Sequence, residues 1–276
     1  MKKKRLGFIM DKRTNIINVG LVVFLVLGGI FVAMKLSYFN DGLIYQAVQD
    51  SDYVEAVIAE VINDSQSVLN YYDLDDSIIN EALDTPEYRD EIAGYLVYYL
   101  DGINTNLNNY FYKENLHNIL SEQFQNVENS EVLVNNMLAS LLASYDDPLT
   151  NSTVVNYLQD MHALSGAISI VVLWLIFMAV VFALYIIGSY RLNGFLQVGK
   201  TFMVGAVLLF FMAFIPIPRI LYINDTFTVL LQALHVYYQS IIFVLALVCV
   251  FAFLFAYGIM YTKKSYLKIR EKELRM

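Results

Sequence analysis

The chain has a single cysteine, Cys249, among its 276 residues, so no disulfide within the chain can hold it together. Only four prolines are present, which leaves room for long unbroken helices. The three histidines, His117, His162 and His235, are scattered and fit no H-E-x-x-H or similar ligand spacing. No G-x-S-x-G nucleophile turn occurs either, so catalytic residues, cofactors and an enzymatic activity are not expected. Basic side chains are scarce in one long segment: residues 37–164 hold only Arg89 and Lys113 against 22 Asp or Glu, a net charge of −20. Such a surface repels nucleic acid and attracts basic proteins or, weakly, divalent cations.

Charge is also missing from the centres of four long apolar runs, where an ionisable side chain would mark an ion or proton path. A pore within one monomer is therefore not expected. Each run meets the length of about 20 apolar residues that a hydrocarbon core roughly 30 Å thick demands. With 58% hydrophobic residues, the composition places the chain among membrane proteins. The first run follows a basic start, as a secretory signal does. It exceeds a signal core in length and lacks a small-x-small cleavage site, which makes it a retained anchor.

Orientation follows from Lys and Arg, because positively charged segments resist export. They cluster at 1–15, at 189–201 (Arg191, Lys200) and at 263–276, while the opposite short connection has only Arg219. Both termini are thus expected in the cytoplasm of a bacterial cell, the Asn, Tyr, Ile and Lys richness fitting an AT-rich genome. The expected fold class is all-α, with four transmembrane helices and an extracytoplasmic helical bundle inserted between the first and second. In order, a first span at 16–36 leads to the acidic outer domain at 37–164, and a second span at 165–188 to a cytoplasmic loop at 189–201. A third span at 202–222, an outer loop and helix extension at 223–240 and a fourth span at 241–262 precede the basic tail.

Within the outer segment apolar residues recur at three and four, the helical period. One stripe runs from Ile44 through Val57 and Val61 to Leu69, and another from Tyr88 through Leu96 and Leu107 to Phe111. Thr85, Pro86 and Glu87 make a strong helix start. Ser130 is placed to cap a third helix, with Val132, Leu133, Met137, Leu138 and Leu141 as its stripe, which Asp147-Pro148 should interrupt. A further helix from Ser152 should pass through Leu158 and Met161 into the second span. Near the end of the third span Pro216 and Pro218 break the helix, and Asp225 opens a new one that nothing disrupts before Lys264. That helix is too long for the bilayer alone, so Phe227, Leu230, Leu231, Leu234 and Tyr238 are expected against the outer bundle.

Gly194-Phe195-Leu196-Gln197-Val198-Gly199-Lys200-Thr201 matches the phosphate-loop pattern G-x-x-x-x-G-K-[ST]. No strand precedes it and no nucleotide domain has room there, so it is expected to be a tight basic turn. Asp73-Leu74-Asp75-Asp76 begins like a calcium loop, but Ile78 stands where the sharp turn needs glycine. Tyr38, Tyr190, Tyr222, Tyr237, Tyr257 and Tyr261 are spaced as an interfacial belt. Small pairs four apart (Gly29 and Ala33, Ala179 and Ala183, Ala252 and Ala256) suit close helix contacts or self-association.

The order of spans and outer domain is similar to that of ABC-type membrane subunits that transmit motion rather than solute. That similarity is one of architecture alone and implies a motion-transmitting subunit beside a separate cytoplasmic ATPase; an oligomeric channel is the other transport expectation. The leading expectation is different: a non-enzymatic protein in contact with membrane lipid, whose outer domain binds a protein partner of the cell envelope or a second copy of itself.

Overall fold

The computed structural model describes residues 2–273 except 102, 104–109, 151, 191 and 216–224. Every regular element among the described residues is helical: α1 Lys2–Tyr38, α2 Asp41–Asp50, α3 Tyr53–Tyr72, α4 Ser77–Leu83, α5 Pro86–Leu100, α6 Tyr110–Gln123, α7 Ser130–Thr150, α8 Ser152–Tyr190, α9 Leu192–Met212 and α10 Asp225–Glu273. Four of them are long and apolar enough to cross a membrane, over Asn15–Tyr38, Leu158–Tyr190, Asn193–Met212 and Asp225–Tyr266. The chain divides into two compact units. The apolar unit holds Met1–Leu36, Ala167–Pro216 and Tyr237–Met276, and the acidic unit holds Ser37–Gly166 and Ile217–Val236.

In the acidic unit short helices pack pairwise, α2 on α5, α3 on α7, and α6 on both α4 and α7. The start of α5 follows its sequence signals, with the Thr85 hydroxyl accepting from the Tyr88 N–H at 3.3 Å and Pro86 in the first turn. Asn40 does the same for α2, accepting from Leu43 N–H at 3.0 Å. The stripe from Ile44 to Leu69 belongs to two helices rather than one. At Ser51 the backbone turns extended, as expected where Asp50, Ser51 and Asp52 offer it competing polar partners.

The stripe that begins at Tyr88 stops at Leu100, where Asp101 caps α5 and Gly102 follows in sequence. Ile103 and Phe111 are exposed, and Leu107 lies outside the described residues. Helices α4 and α6 fill stretches the periodicity did not assign. For α7 the cap residue is Asn129, not Ser130: Asn129 adopts φ 60° and its carbonyl accepts from Val132 and Leu133. The buried face of α7 accordingly begins at Val134, while Val132 is exposed. Asp147-Pro148 does not interrupt α7, because the proline falls two residues before its end and disturbs only the last turn.

The apolar unit departs from expectation in its second connection and third span. Residues 189–190 and 192–201 are helical rather than a loop, with α8 reaching Tyr190 and α9 beginning at Leu192. Of the span expected at 202–222, α9 covers the part up to Met212 and a turn follows at 213–215, while 216–222, with Pro216, Pro218, Arg219 and Tyr222, lie outside the described residues. The basic segment after Lys264 is helical too, since α10 continues to Glu273.

Candidate functional site

The core of the acidic unit is built from aromatic and branched side chains, with Tyr53, Tyr88, Tyr112, Ile92 and Leu116 fully enclosed. Burial pushes the hydroxyls of Tyr53 and Tyr112 well above the ordinary tyrosine value, and burial beside Tyr99 does the same to Tyr95. Segment 225–236 of α10 closes one side of this core. Phe227 meets Tyr53 edge-on at 6.4 Å, and Leu230, Leu231 and Leu234 are all buried. The Thr226 hydroxyl donates to Glu60 at 2.7 Å, and His235 shares a 2.8 Å hydrogen bond with the Tyr38 hydroxyl. Tyr38 is therefore a buried packing residue rather than a member of an exposed aromatic belt. The gap lined by Ile44, Leu96, Met161 and Leu231 has a volume of about 20 Å³, space for one water-sized molecule.

The surface of this unit is where its charge resides. Arg89 lies between Glu55 at 2.5 Å and Asp84 at 3.1 Å, with the arginine mostly covered and both carboxylates more than half exposed. Its guanidinium is held above its ordinary pKa, first by the hydrogen bond it donates to Glu55 and then by the one it donates to Asp84. The arginine thus joins α3, the end of α4 and α5. On the neighbouring edge the Tyr45 hydroxyl and Gln49 both donate to Asp90, tying α2 to α5 and raising the Tyr45 pKa. Lys113, the other cation of the segment, is exposed.

Each sequence motif proves to have structural work. In the calcium-like stretch, Asp73 takes the left-handed conformation that ends α3 (φ 53°, ψ 45°). Asp75 accepts from the Ser77 N–H at 2.8 Å where α4 begins, and its pKa is lowered first by the Ser77 side chain and then by this backbone bond. Among the described residues no three His, Cys, Asp or Glu side chains converge as a metal site. His117 faces Ser121 of its own helix at 3.5 Å, and His162 donates to the Leu100 carbonyl at 2.6 Å.

The phosphate-loop match lies wholly within α9, not in a turn. Its glycines mark close approaches: a Cβ on Gly194 would stand 2.6 Å from the Ile186 carbonyl, and one on Gly199 would stand 2.8 Å from Ala256. Its threonine donates to the Gln197 carbonyl one turn back. From Leu196 onward its backbone N–H groups lie past the first turn and are bonded within the helix, and the Ile186 carbonyl crowds Gly194, so the segment has no cradle to offer a phosphate.

Around these contacts the apolar unit encloses two apolar spaces. One, of about 440 Å³, is bounded by all four long helices, with Gly28, Gly29, Ala179 and Ala183 leaving the room. The alanine pair thus widens a gap instead of sealing a contact. A second, of about 380 Å³, is a groove between α9 and α10. Sequence reasoning missed both spaces. The recurrence of Lys200, Met203, Val207 and Phe211 on one face of α9 was the available signal for the second.

No protein-family model matches this chain, and no curated protein or solved structure matches it.

Proposed function

We propose that the chain is a non-enzymatic protein of the cell membrane with both termini in the cytoplasm, whose acidic unit stands outside and binds a basic protein of the cell envelope. It would act there as a sensor, scaffold or assembly factor. The observation that carries this is the charge balance of the acidic unit. Residues 37–164 hold 22 Asp or Glu against two cations, and Arg89 meets Glu55 and Asp84 within the fold, which leaves a large negative excess for a cationic partner to meet. A net −20 steers a cationic partner from a distance and discriminates against anionic ones. The concentration of Lys and Arg at the opposite ends of the spans supports the assigned sidedness.

One observation favours a second role, transmission of motion across the membrane. Helices α1, α8 and α10 each contribute residues to both units without a break. Photo-crosslinking from Tyr71 and Tyr98, both exposed on the acidic unit, tests partner binding against an oligomeric channel in native membranes. Capture of a basic envelope protein supports partner binding. Recovery of the chain crosslinked only to itself, together with single-channel conductance in a planar bilayer, overturns it in favour of an oligomeric channel.

A further inference from the structure

The groove between α9 and α10 is apolar throughout, and a lysine beyond one of its ends identifies an occupant. Its walls are Met203, Val207 and Phe211 from α9 and Phe243, Leu247 and Val250 from α10, over a floor of Ala206 and Ala246. Away from the basic end, the rings of Phe210, Phe214 and Phe243 close on one another with centroids 5.4–5.9 Å apart. Toward the basic end the faces continue beyond the groove. On α9 the residue three before Met203 is Lys200, which is exposed. On α10 the steps of three and four pass from Val250 through Leu254 to Tyr257, Tyr261 and Lys264, all exposed.

The two helices run antiparallel. Gly199 against Ala256 and Phe210 against Phe243 set a register in which Lys200 is level with Leu254. Tyr257 therefore stands about one turn nearer the membrane surface, at the height a lysine reaches when its ammonium turns toward water.

A groove of 380 Å³ is more than twice the roughly 150 Å³ apolar cavity that takes up benzene, and its hydrocarbon lining offers water no partners. Left empty at membrane depth, its walls would forfeit dispersion contacts. We propose that it holds an acyl chain of an anionic glycerophospholipid from the leaflet at the basic end, with the lipid phosphate met by Lys200 and the Tyr257 hydroxyl. Charge decides against a second copy of the chain as the occupant. A two-fold interface centred on this groove would set Lys200 of both copies against each other as like charges, whereas a phosphate neutralises the lysine. The glycine-lysine segment of α9 thereby has two roles: Gly199 admits α10, and Lys200 receives the headgroup.

Native mass spectrometry of the full chain in detergent, supplied with equimolar palmitoyl-oleoyl phosphatidylglycerol and phosphatidylcholine, tests this. One phosphatidylglycerol should be retained in preference to phosphatidylcholine. Lys200→Gln should lower that preference about fivefold, and Lys200→Arg should keep most of it. Ala246→Phe, which fills the floor, should release the retained lipid. If that variant fails to fold, Lys200→Gln decides alone, because its site is exposed. Equal retention of the two lipids by the unaltered chain, no change in Lys200→Gln, or a lipid-free dimer would each overturn the proposal.

Discussion

The acidic and apolar units are both helical, yet they bury opposite kinds of residue. In the acidic unit large side chains such as Tyr53, Tyr88 and Ile92 are enclosed, while carboxylates cover the outside. In the apolar unit many large side chains face outward, among them Ile170, Leu173, Phe211 and Phe255, and small residues mark several close helix approaches. Water drives the first arrangement, because sequestering apolar surface is favourable there. Lipid offers no such drive. Helices within it associate where glycine or alanine lets them approach closely, as Gly199 does with Ala256 and Gly29 with Leu209.

The comparison is broken most severely by a charge in the wrong interior. Leu234→Asp places a carboxylate where Leu234 is 3% exposed, at the contact of α10 with the acidic core. Expected is a loss of about 3–5 kcal/mol, with the spans still inserted. Urea titration of the tyrosine near-ultraviolet signal checks it. A small steric change should suffice in the apolar unit: Gly199→Val meets Ala256 and Phe253 and should cost about 1–3 kcal/mol, read from resistance to unfolding by sodium dodecyl sulfate. In the acidic unit a Gly94→Ala change within α5 should instead stabilise by about 0.5–1 kcal/mol, since nothing stands within 4 Å of the new Cβ and alanine is the better helix former.

Alkali sharpens the same contrast through the buried tyrosines. Their pKa values are raised above 10.0 in the folded acidic unit, so the folded state holds its protons more tightly than the unfolded chain. The stability this gives is complete below about pH 10 and lost as pH rises through the folded values. The share of tyrosinate absorbance near 295 nm that belongs to these three residues should therefore appear together with loss of helicity. Early, non-cooperative ionisation of every tyrosine would contradict the packing described. At the acid end Asp75 acts in the opposite sense: its lowered pKa gives a contribution present above the usual 3.8 and lost as pH falls through the folded value. Smaller still is Arg89→Ala, expected at about 1 kcal/mol because its carboxylate partners are exposed and screened.

Local chemistry was legible where a single residue type decides the backbone. The Thr85-Pro86-Glu87 start of α5 and the unbroken run from Asp225 could be read directly. Periodicity was a weaker guide, since the stripe from Ile44 to Leu69 continues in phase across the Ser51 break and carries no mark of it. The start of α9 was hidden for a different reason. Arg191, Gln197 and Lys200 lower the local hydropathy, so an apolar window begins later than the helix does. At Gly194 and Gly199 the phosphate-loop match was set aside on context, but the segment expected to turn is helical, and the absent side chains of the two glycines admit α8 and α10.

The assigned sidedness of the two units is open to one direct measurement, in a chain carrying Cys249→Ala. Cysteines are placed singly at Glu131 and Lys264, both exposed, and intact cells are treated with a membrane-impermeant maleimide. Labelling at position 131 and protection at 264 until the membrane is permeabilised is the predicted result. Labelling at 264 with protection at 131 would put the acidic unit in the cytoplasm and contradict its role as an outer binding surface.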